Sequence, residues 1–112
     1  KQLARDRQCP VVAVCAVNRK SEESGDKRPK LSSLRESGSI EFEADVVLLL
    51  HRDDYYKRGE EAEECRGVAE VHIAKQRNGP TGEIELRWDA EYTRFQNLAP
   101  DYQLPYGDRQ EF

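Results

Sequence analysis

The chain has 112 residues, with 18 lysines and arginines against 22 aspartates and glutamates, and therefore a formal net charge of −4. This length fits one domain or a part of one, and the acidic balance excludes a protein that binds nucleic acid through bulk positive charge alone, though not a local basic site. No apolar run approaches the ~20 residues of a membrane-spanning helix, and the first residues lack the apolar stretch of a signal peptide.

Cysteine usage narrows the class of protein further. The three cysteines, at positions 9, 15 and 65, form no Cys-x-x-Cys pair. An odd number of cysteines at unrelated spacings excludes a disulfide framework and an ordinary zinc site, and it is typical of a reducing compartment. We therefore expect these residues to bind no metal.

The first third of the chain predicts a helix and a buried strand. Lys1–Gln8 is typical of the last turns of a helix that ends before Pro10. Pro10–Val17 is an unbroken apolar run rich in β-branched residues, which predicts a strand buried on both faces, as in a parallel sheet. Asn18–Lys30 is polar and is expected to form a long loop.

A second helix and a second strand are predicted next. The helix is expected to begin at Ser32 or Ser33 and to run through Phe42, and Glu36 is placed for a capping box with Ser33. Asp45–Leu50 is another apolar run and predicts another buried strand.

The last third of the chain predicts a β-hairpin. Val68–Lys75 and Ile84–Trp88 alternate in polarity, and the turn-forming residues Asn78–Gly82 lie between them. Glu91–Phe95 predicts one further short strand, and residues 99–112 are expected to form a disordered tail. Helix, strand, helix, strand and hairpin together predict the second half of an α/β domain.

The usual catalytic motifs are absent from the sequence. None of the seven glycines is followed by lysine, so there is no phosphate-binding P-loop, and neither G-x-S-x-G nor H-E-x-x-H occurs. His51 and His72 lie on separate predicted strands and are expected to be partly buried strand residues. Two residues separate the second strand from Asp53, which disfavours a Walker B magnesium ligand. These residues alone contain no complete active site.

A basic segment precedes the second strand. From Arg19 to Glu36 there are six basic and four acidic residues, a net charge of +2 in a chain of −4. Cations beside serine and glycine amides at a helix start form a good phosphate cradle. A capped helix with a solvated loop explains the same pattern equally well.

Two cations, Lys75 and Arg77, end the first strand of the predicted hairpin. They share the parity of Val71 and Ile73, so both are expected on the apolar face of that strand. Burial of these two cations in the core would cost free energy, whereas at a subunit interface they would bind an anion of the neighbouring subunit. The alternative, which the pattern alone favours, is an ordinary hairpin end with long side chains that reach water.

Several motifs together resemble one family. They are KRP at 27–29, LRESGSIE at 34–41, AD at 44–45, RD at 52–53, YY at 55–56, AKQRNGPTG at 74–82 and EYTRF at 91–95. In this order and spacing they closely resemble the replicative DNA helicases of the DnaB type, over about residues 1–98. The resemblance implies an α/β fold, the C-terminal half of a RecA-like P-loop ATPase domain, with buried parallel-type strands and a C-terminal antiparallel hairpin. The P-loop and the Walker B strand would lie upstream of these residues.

The resemblance also implies a function. The family forms hexameric rings of identical subunits around single-stranded DNA and uses ATP and Mg²⁺ to unwind duplex DNA at the replication fork. The full-length protein would be an ATP-hydrolysing helicase of the bacterial cytoplasm or nucleoid, with primase and a helicase loader as further partners and no membrane contact. These residues alone would bind no cofactor and would be inactive.

The resemblance assigns roles to two groups of residues. Arg77 corresponds to the arginine finger, with Lys75 beside it, and both would reach ATP bound on the adjacent subunit. The DNA-binding residues would be Arg35, Glu36 and Gly38, which correspond to the segment that holds the DNA backbone, and Lys27 and Arg28, whose loop belongs near the central channel.

One position departs from the family. At the end of the strand predicted for Pro10–Val17 the family usually has Ser-Gln, whose glutamine senses the γ-phosphate, whereas this chain has Cys15 and Ala16. Because the side chain of Ala16 cannot form a hydrogen bond, a second hypothesis is a helicase-like DNA-binding and assembly module with weak or no ATP hydrolysis. A relative of the RecA-type recombinases is a third and more distant hypothesis, which the motif at 74–82 disfavours.

Overall fold

The computed structural model describes residues 1–17, 25–37 and 39–98, and for residues 35–37 it describes the backbone alone. Residues 18–24 of the predicted loop, Gly38 and the predicted tail at 99–112 lie outside the described residues.

The described part of the chain forms short helices and one sheet. Its elements are α1 (Gln2–Arg7), a first 3₁₀ helix (Leu31–Ser37), α2 (Ile40–Glu43), β1 (Val46–His51), a second 3₁₀ helix (Asp53–Tyr55), α3 (Glu60–Glu64), β2 (Val68–Gln76), β3 (Gly82–Asp89) and β4 (Arg94–Gln96). The four strands are hydrogen-bonded in the order β1-β2-β3-β4, and each pair is antiparallel. None of these helices is long and apolar enough to cross a membrane.

The predicted hairpin is confirmed. β2 and β3 pair so that Val71 lies opposite Ile84 and Glu70 opposite Glu85. The further short strand is confirmed as β4, where Phe95 lies opposite Trp88 and the two rings are 4.9 Å apart. Alternating polarity and turn chemistry predict this part well because both act locally.

The prediction that the second strand is buried on both faces is wrong for β1. Val47, Leu49 and His51 are buried, whereas the alternate residues Val46 and Leu48 are more than half exposed. β1 is an edge strand that pairs antiparallel with β2, and among the described residues a packed layer covers only one of its faces. An apolar run signals burial, but it does not specify the direction of pairing.

The core lies between that covered face and the first 3₁₀ helix. Leu34, which is 5% exposed, packs with Val47 and Leu49. Leu31, Ala44 and Ala74 extend this cluster from the neighbouring segments. Burial of each large apolar side chain contributes about 1.5–3 kcal/mol, so the cluster fixes residues 31–34 against the sheet.

The strand predicted for Pro10–Val17 is also wrong within the described structure. The segment has no strand hydrogen bonding, and Val12 and Val14 are 91% and 97% exposed. A strand buried on both faces needs paired neighbours and packed layers on both sides, and none of the described strands pairs with this segment.

The two predicted helices have different outcomes. The first is confirmed as α1, which ends at Arg7 and is followed by Gln8 in a left-handed backbone conformation. The second is replaced by the first 3₁₀ helix and α2. Ser33 does not cap a helix there, because its N–H donates to the Lys30 carbonyl at 2.8 Å and its hydroxyl accepts from the Lys30 N–H at 3.1 Å, which closes a turn.

Candidate functional site

Arg77 lies directly after β2, at the end of the sheet where β1 begins. Its backbone N–H donates to the Asp45 carbonyl at 2.9 Å, so the main chain at this position is fixed. Its side chain remains 45% exposed, and its Nε lies 3.3 Å from Asp45 Oδ1. The arginine is thus anchored at the backbone, while its side chain stays partly exposed.

Lys75 does not share a face with Val71 and Ile73, and this part of the prediction is wrong. Val47 lies opposite Lys75 and Leu48 opposite Ile73, so β2 has one more residue than β1 between these pairs. This bulge at Ala74 places Lys75 across from buried Val47, on the covered face of the sheet.

The Lys75 ammonium is engaged within the chain. Its Nζ donates to the carbonyl oxygens of Glu41 at 2.9 Å and Phe42 at 3.0 Å, in the single turn of α2. Cations at a helix C-terminus satisfy carbonyls that lack intrahelical partners. Lys75 and Arg77 are therefore two residues apart in sequence, but their cationic groups have different partners.

Asp45 contacts two cations. Lys1 Nζ donates to its Oδ1 at 2.7 Å, and Arg77 approaches the same oxygen. The hydrogen bond from Lys1 lowers the pKa of the Asp45 carboxyl below its ordinary value, aided by the charges of Lys1, Arg77 and Lys75 and opposed by desolvation. Asp45 is therefore ionised near neutral pH.

Arg28, predicted to bind DNA, is held by the sheet. Its Nε donates to Glu70 Oε2 at 2.8 Å and its Nη2 donates to Glu70 Oε1 at 2.6 Å. Asp53 and Asp26 each lie 3.5 Å from its outer nitrogens. The hydrogen bonds that Arg28 donates to Glu70 raise the pKa of Arg28 above its ordinary value, against a smaller effect of burial.

Glu70 is a buried carboxylate, 8% exposed, on β2. Burial raises its pKa, but hydrogen bonds from Arg28 and His72 more than offset that effect and leave the pKa below its ordinary value. Atoms of Glu70, His72 and Glu83 lie within 4.8 Å of one another, a spacing compatible with a metal ion. Both oxygens of Glu70 already accept from Arg28, so the charge of Glu70 is compensated by a guanidinium.

The two histidines are confirmed as strand residues with some burial. His51 ends β1, is 4% exposed and lies 2.7 Å from Asp53 Oδ1 through its Nε2. His72 lies on β2, with Nε2 2.8 Å from Glu70 Oε2. Each ring contacts a carboxylate of the same network, which joins the end of β1 to β2.

The other predicted DNA-binding residues belong to the segment around the first 3₁₀ helix. Lys27 is partly exposed just before Arg28. Arg35 and Glu36 lie in the 3₁₀ helix, where the backbone alone is described, and Gly38 lies outside the described residues. Their DNA contacts stay a prediction.

An aromatic cavity of about 250 Å³ lies near the end of β1, and sequence reasoning did not identify it. Its lining consists of Leu50, His51, Arg52, Tyr55, Tyr56, Trp88 and Phe95. The Arg52 guanidinium lies 4.7 Å from the centre of a Trp88 ring, and Trp88 Nε1 is buried with no hydrogen-bond partner among the described residues. The exposed rings of Tyr55 and Phe95 suit stacking with a planar heterocycle, whereas the Arg52 guanidinium is already held by Asp54. These side chains meet only through strand pairing, so no local pattern in the sequence could reveal them.

Comparison with known proteins gives consistent matches. The family model for the DnaB-like helicase C terminal domain matches residues 1–97. The replicative DNA helicase DnaB of Haemophilus influenzae is 50% identical over 99 residues, which is 88% of this chain and 20% of that protein. The DnaB of Geobacillus stearothermophilus is 46% identical over 110 residues, 96% of this chain and 24% of that protein. The chain thus spans about a fifth to a quarter of the length of these curated relatives.

Solved structures agree with the sequence matches. A DnaB-like replicative helicase, described with its interactions with primase, superposes with a TM-score of 0.77 at 43% identity and covers 88% of this chain and 23% of that one. A second solved structure, described as an ATPase domain, gives a TM-score of 0.78 at 43% identity, with 88% of this chain and 34% of that one covered. These matches confirm the α/β fold class and its assignment to part of an ATPase domain, while the described strands themselves pair antiparallel.

Proposed function

The chain belongs to the DnaB-like helicase C-terminal domain family, and from this membership we propose that it is the C-terminal part of the ATPase domain of a replicative DNA helicase. The full-length protein hydrolyses ATP with Mg²⁺, forms a hexameric ring around single-stranded DNA and unwinds the duplex at the replication fork. The names of the curated relatives support this proposal.

In this proposal Arg77 is an arginine finger that acts on ATP bound to the adjacent subunit. The observation that carries it is an exposed guanidinium on a backbone fixed by Asp45. A planar, permanently charged group suits the charge that builds on a transferring phosphoryl group. No glycine of this chain is followed by lysine, so the cradle for the β- and γ-phosphates would come from other residues of the full-length protein.

Lys75 is proposed as the second cation of the same interface. Direct contact with the neighbour's nucleotide would require its ammonium to leave the carbonyls of Glu41 and Phe42. The aromatic cavity lined by Arg52 and Trp88 adds a surface on which the planar base of a nucleotide could stack.

The basic segment is proposed as the DNA-binding surface, with Lys27, Arg35, Glu36 and Gly38 near the backbone of the strand. Phosphate contacts of this kind carry no base information, as a helicase that moves along any sequence requires. Primase, named in the description of a solved relative, is proposed as a partner, together with a helicase loader. The bacterial cytoplasm or nucleoid is the proposed location.

Ala16 supports a second candidate function. Its methyl side chain cannot sense a γ-phosphate by a hydrogen bond, and this favours a ring that binds DNA and hydrolyses ATP weakly or not at all.

The two functions are separated by one experiment on the full-length protein. Unwinding of a forked duplex and ATP turnover are measured with and without single-stranded DNA, with the Arg77→Ala ring as the matched control. A helicase gives DNA-stimulated turnover and unwinding that the control lacks. An assembly module binds DNA but turns over ATP no faster than the control.

A further inference from the structure

The side chains of Arg28 and Glu70 form a bidentate ion pair, which we call the joint. Two nitrogens of the guanidinium donate to the two oxygens of one carboxylate, at 2.8 Å and 2.6 Å. Such parallel, charge-assisted pairs are the strongest and most directional side-chain hydrogen bonds. The two residues are 42 positions apart, so the pair connects separate parts of the chain.

The surroundings of Arg28 leave little room for a phosphate. Glu70 uses its Nε and Nη2, while Asp26 lies 3.5 Å from Nη1 and Asp53 lies 3.5 Å from Nη2. Three carboxylates therefore face one guanidinium. A phosphate that approached it would meet their negative charge, and at Nε or Nη2 it would also have to displace Glu70.

The joint connects two functional parts of the proposed helicase. Arg28 belongs to the basic segment, directly beside Lys27. Glu70 belongs to β2, and the same strand continues to Gln76, directly before Arg77. The seven residues from Glu70 to Gln76 span about 20 Å of strand, so the basic segment and the finger are attached to one rigid element.

We propose that Arg28 is a positioning residue, which fastens the basic segment to β2 through Glu70 and does not itself bind DNA phosphate. The cations that contact DNA are then its neighbours in the segment. The part that concerns DNA rests on the proposed function, whereas the fastening of the segment does not.

The test uses full-length protein with Arg28→Gln, Glu70→Gln and the double variant. Glutamine keeps most of the side-chain volume and removes the charge, so neither single variant leaves a bare cavity. Arg66→Gln is the matched control, because Arg66 is an exposed arginine that pairs with Glu63 within one helical turn. The first measurement is hydrogen exchange at 25–30, read from the Arg28 and Lys30 amides, which donate to Asp26 Oδ1 and Ser33 Oγ. It is made without nucleotide or DNA, with the amides of β3 as internal reference.

We expect each single variant to speed exchange at 25–30 by about tenfold or more, since it breaks a partly buried pair. The double variant exchanges no faster than the singles, because both changes remove the same interaction. The control and the reference strand stay at the wild-type rate. Unchanged exchange in either single variant, additive effects, or faster exchange throughout β3 would each overturn the proposal.

The second measurement is single-stranded DNA affinity at several salt concentrations. If Arg28 acts through Glu70, then Arg28→Gln and Glu70→Gln weaken binding to a similar extent and the double variant is no weaker. If Arg28 bound phosphate, Glu70→Gln would release it and leave binding equal or tighter, which would overturn the proposal. If a glutamine variant does not fold, Arg28→Lys replaces it in both measurements, because lysine keeps the charge but cannot donate two parallel hydrogen bonds to a carboxylate. We expect it to loosen the segment as well, whereas full retention of both exchange protection and DNA affinity would contradict a joint.

Discussion

Arg77 and Asp45 contact each other twice, once through the backbone and once through their side chains. The Arg77 N–H donates to the Asp45 carbonyl at 2.9 Å, and Arg77 Nε lies 3.3 Å from Asp45 Oδ1. The first contact fixes where the arginine emerges from the sheet. The second is an exposed ion pair, which costs little to break, so the guanidinium can exchange Asp45 for a phosphate.

The first prediction concerns Asp45→Asn in the full-length ring. This change removes a competing anion for Arg77 but leaves the backbone hydrogen bond in place. We expect DNA-stimulated turnover at saturating ATP to equal or exceed that of wild type. Glu63→Gln, which weakens an exposed pair remote from this site, is the control. A tenfold loss of turnover in Asp45→Asn alone would mean that the carboxylate orients the finger.

The second prediction separates stability from catalysis at Lys75. Lys75→Met keeps the aliphatic stem but removes the hydrogen bonds to the Glu41 and Phe42 carbonyls. We expect the free energy of unfolding, measured in a urea titration, to fall by about 1.5–3 kcal/mol, the range for hydrogen bonds that involve charged groups. Lys57→Met, which removes an exposed pair with Asp53, should change it little. Unchanged stability together with abolished ATP turnover would instead place the ammonium on the nucleotide.

The third prediction concerns Arg35. If it holds one phosphate of single-stranded DNA, Arg35→Ala weakens binding equally for all sequences. The slope of log affinity against log salt should become shallower by about 0.7 for each phosphate that the variant no longer neutralises. Titrations at four salt concentrations with two unrelated oligonucleotides measure both quantities. An unchanged affinity would leave Arg35 a structural role only, and a sequence-dependent loss would indicate base recognition.

The fourth prediction is a pH dependence of stability from Glu70. Its pKa in the folded protein is lowered from 4.5 by Arg28 and His72. The unfolded chain therefore binds this proton more readily, so the stabilisation is complete above the ordinary value and is lost as pH falls through the lowered one. Unfolding titrations from about pH 6 to about pH 3 should give a steeper loss in wild type than in Glu70→Gln. Parallel curves would show that Glu70 contributes nothing to acid unfolding.

The sequence predicts the hairpin and the short final strand because alternation and turn residues act over a few positions. The residue pairing of β2 with β3, such as Val71 opposite Ile84, was not predicted. The face of the sheet on which Lys75 lies could not be predicted. It depends on one extra residue at Ala74, which reverses the alternation of side chains along β2 and which no residue pattern in the sequence marks.

Contacts between residues that are far apart in the sequence could not be predicted either. Nothing near Arg28 in the sequence indicates Glu70, 42 residues away, and a basic segment looks the same whether its arginine faces DNA or a buried carboxylate. The apolar runs at Pro10–Val17 and Val46–Leu50 both predicted burial on two faces, but only one face of the second run is buried. Burial depends on which other segments pack against a strand, and an apolar run does not specify them.

The fifth prediction concerns Arg77, the residue on which the proposed mechanism depends most. An arginine supplied in trans typically raises turnover ~10³–10⁵-fold, which corresponds to an activation free energy lower by about 4–7 kcal/mol. Arg77→Ala should therefore abolish most DNA-stimulated hydrolysis while ATP binding persists and thermal stability is unchanged. Arg77→Lys should rescue little, because an ammonium lacks the planar fork.

Subunit mixing tests the trans role most directly. Arg77→Ala subunits are combined with subunits in which the upstream P-loop lysine is replaced, and ATP turnover is followed across mixing ratios, with mass measurement to verify that mixed rings form. A finger that acts in trans predicts partial recovery, since some interfaces then pair an intact arginine with an intact P-loop. Mixed rings that stay as inactive as either parent would contradict the trans role and place Arg77 in cis or in a structural role.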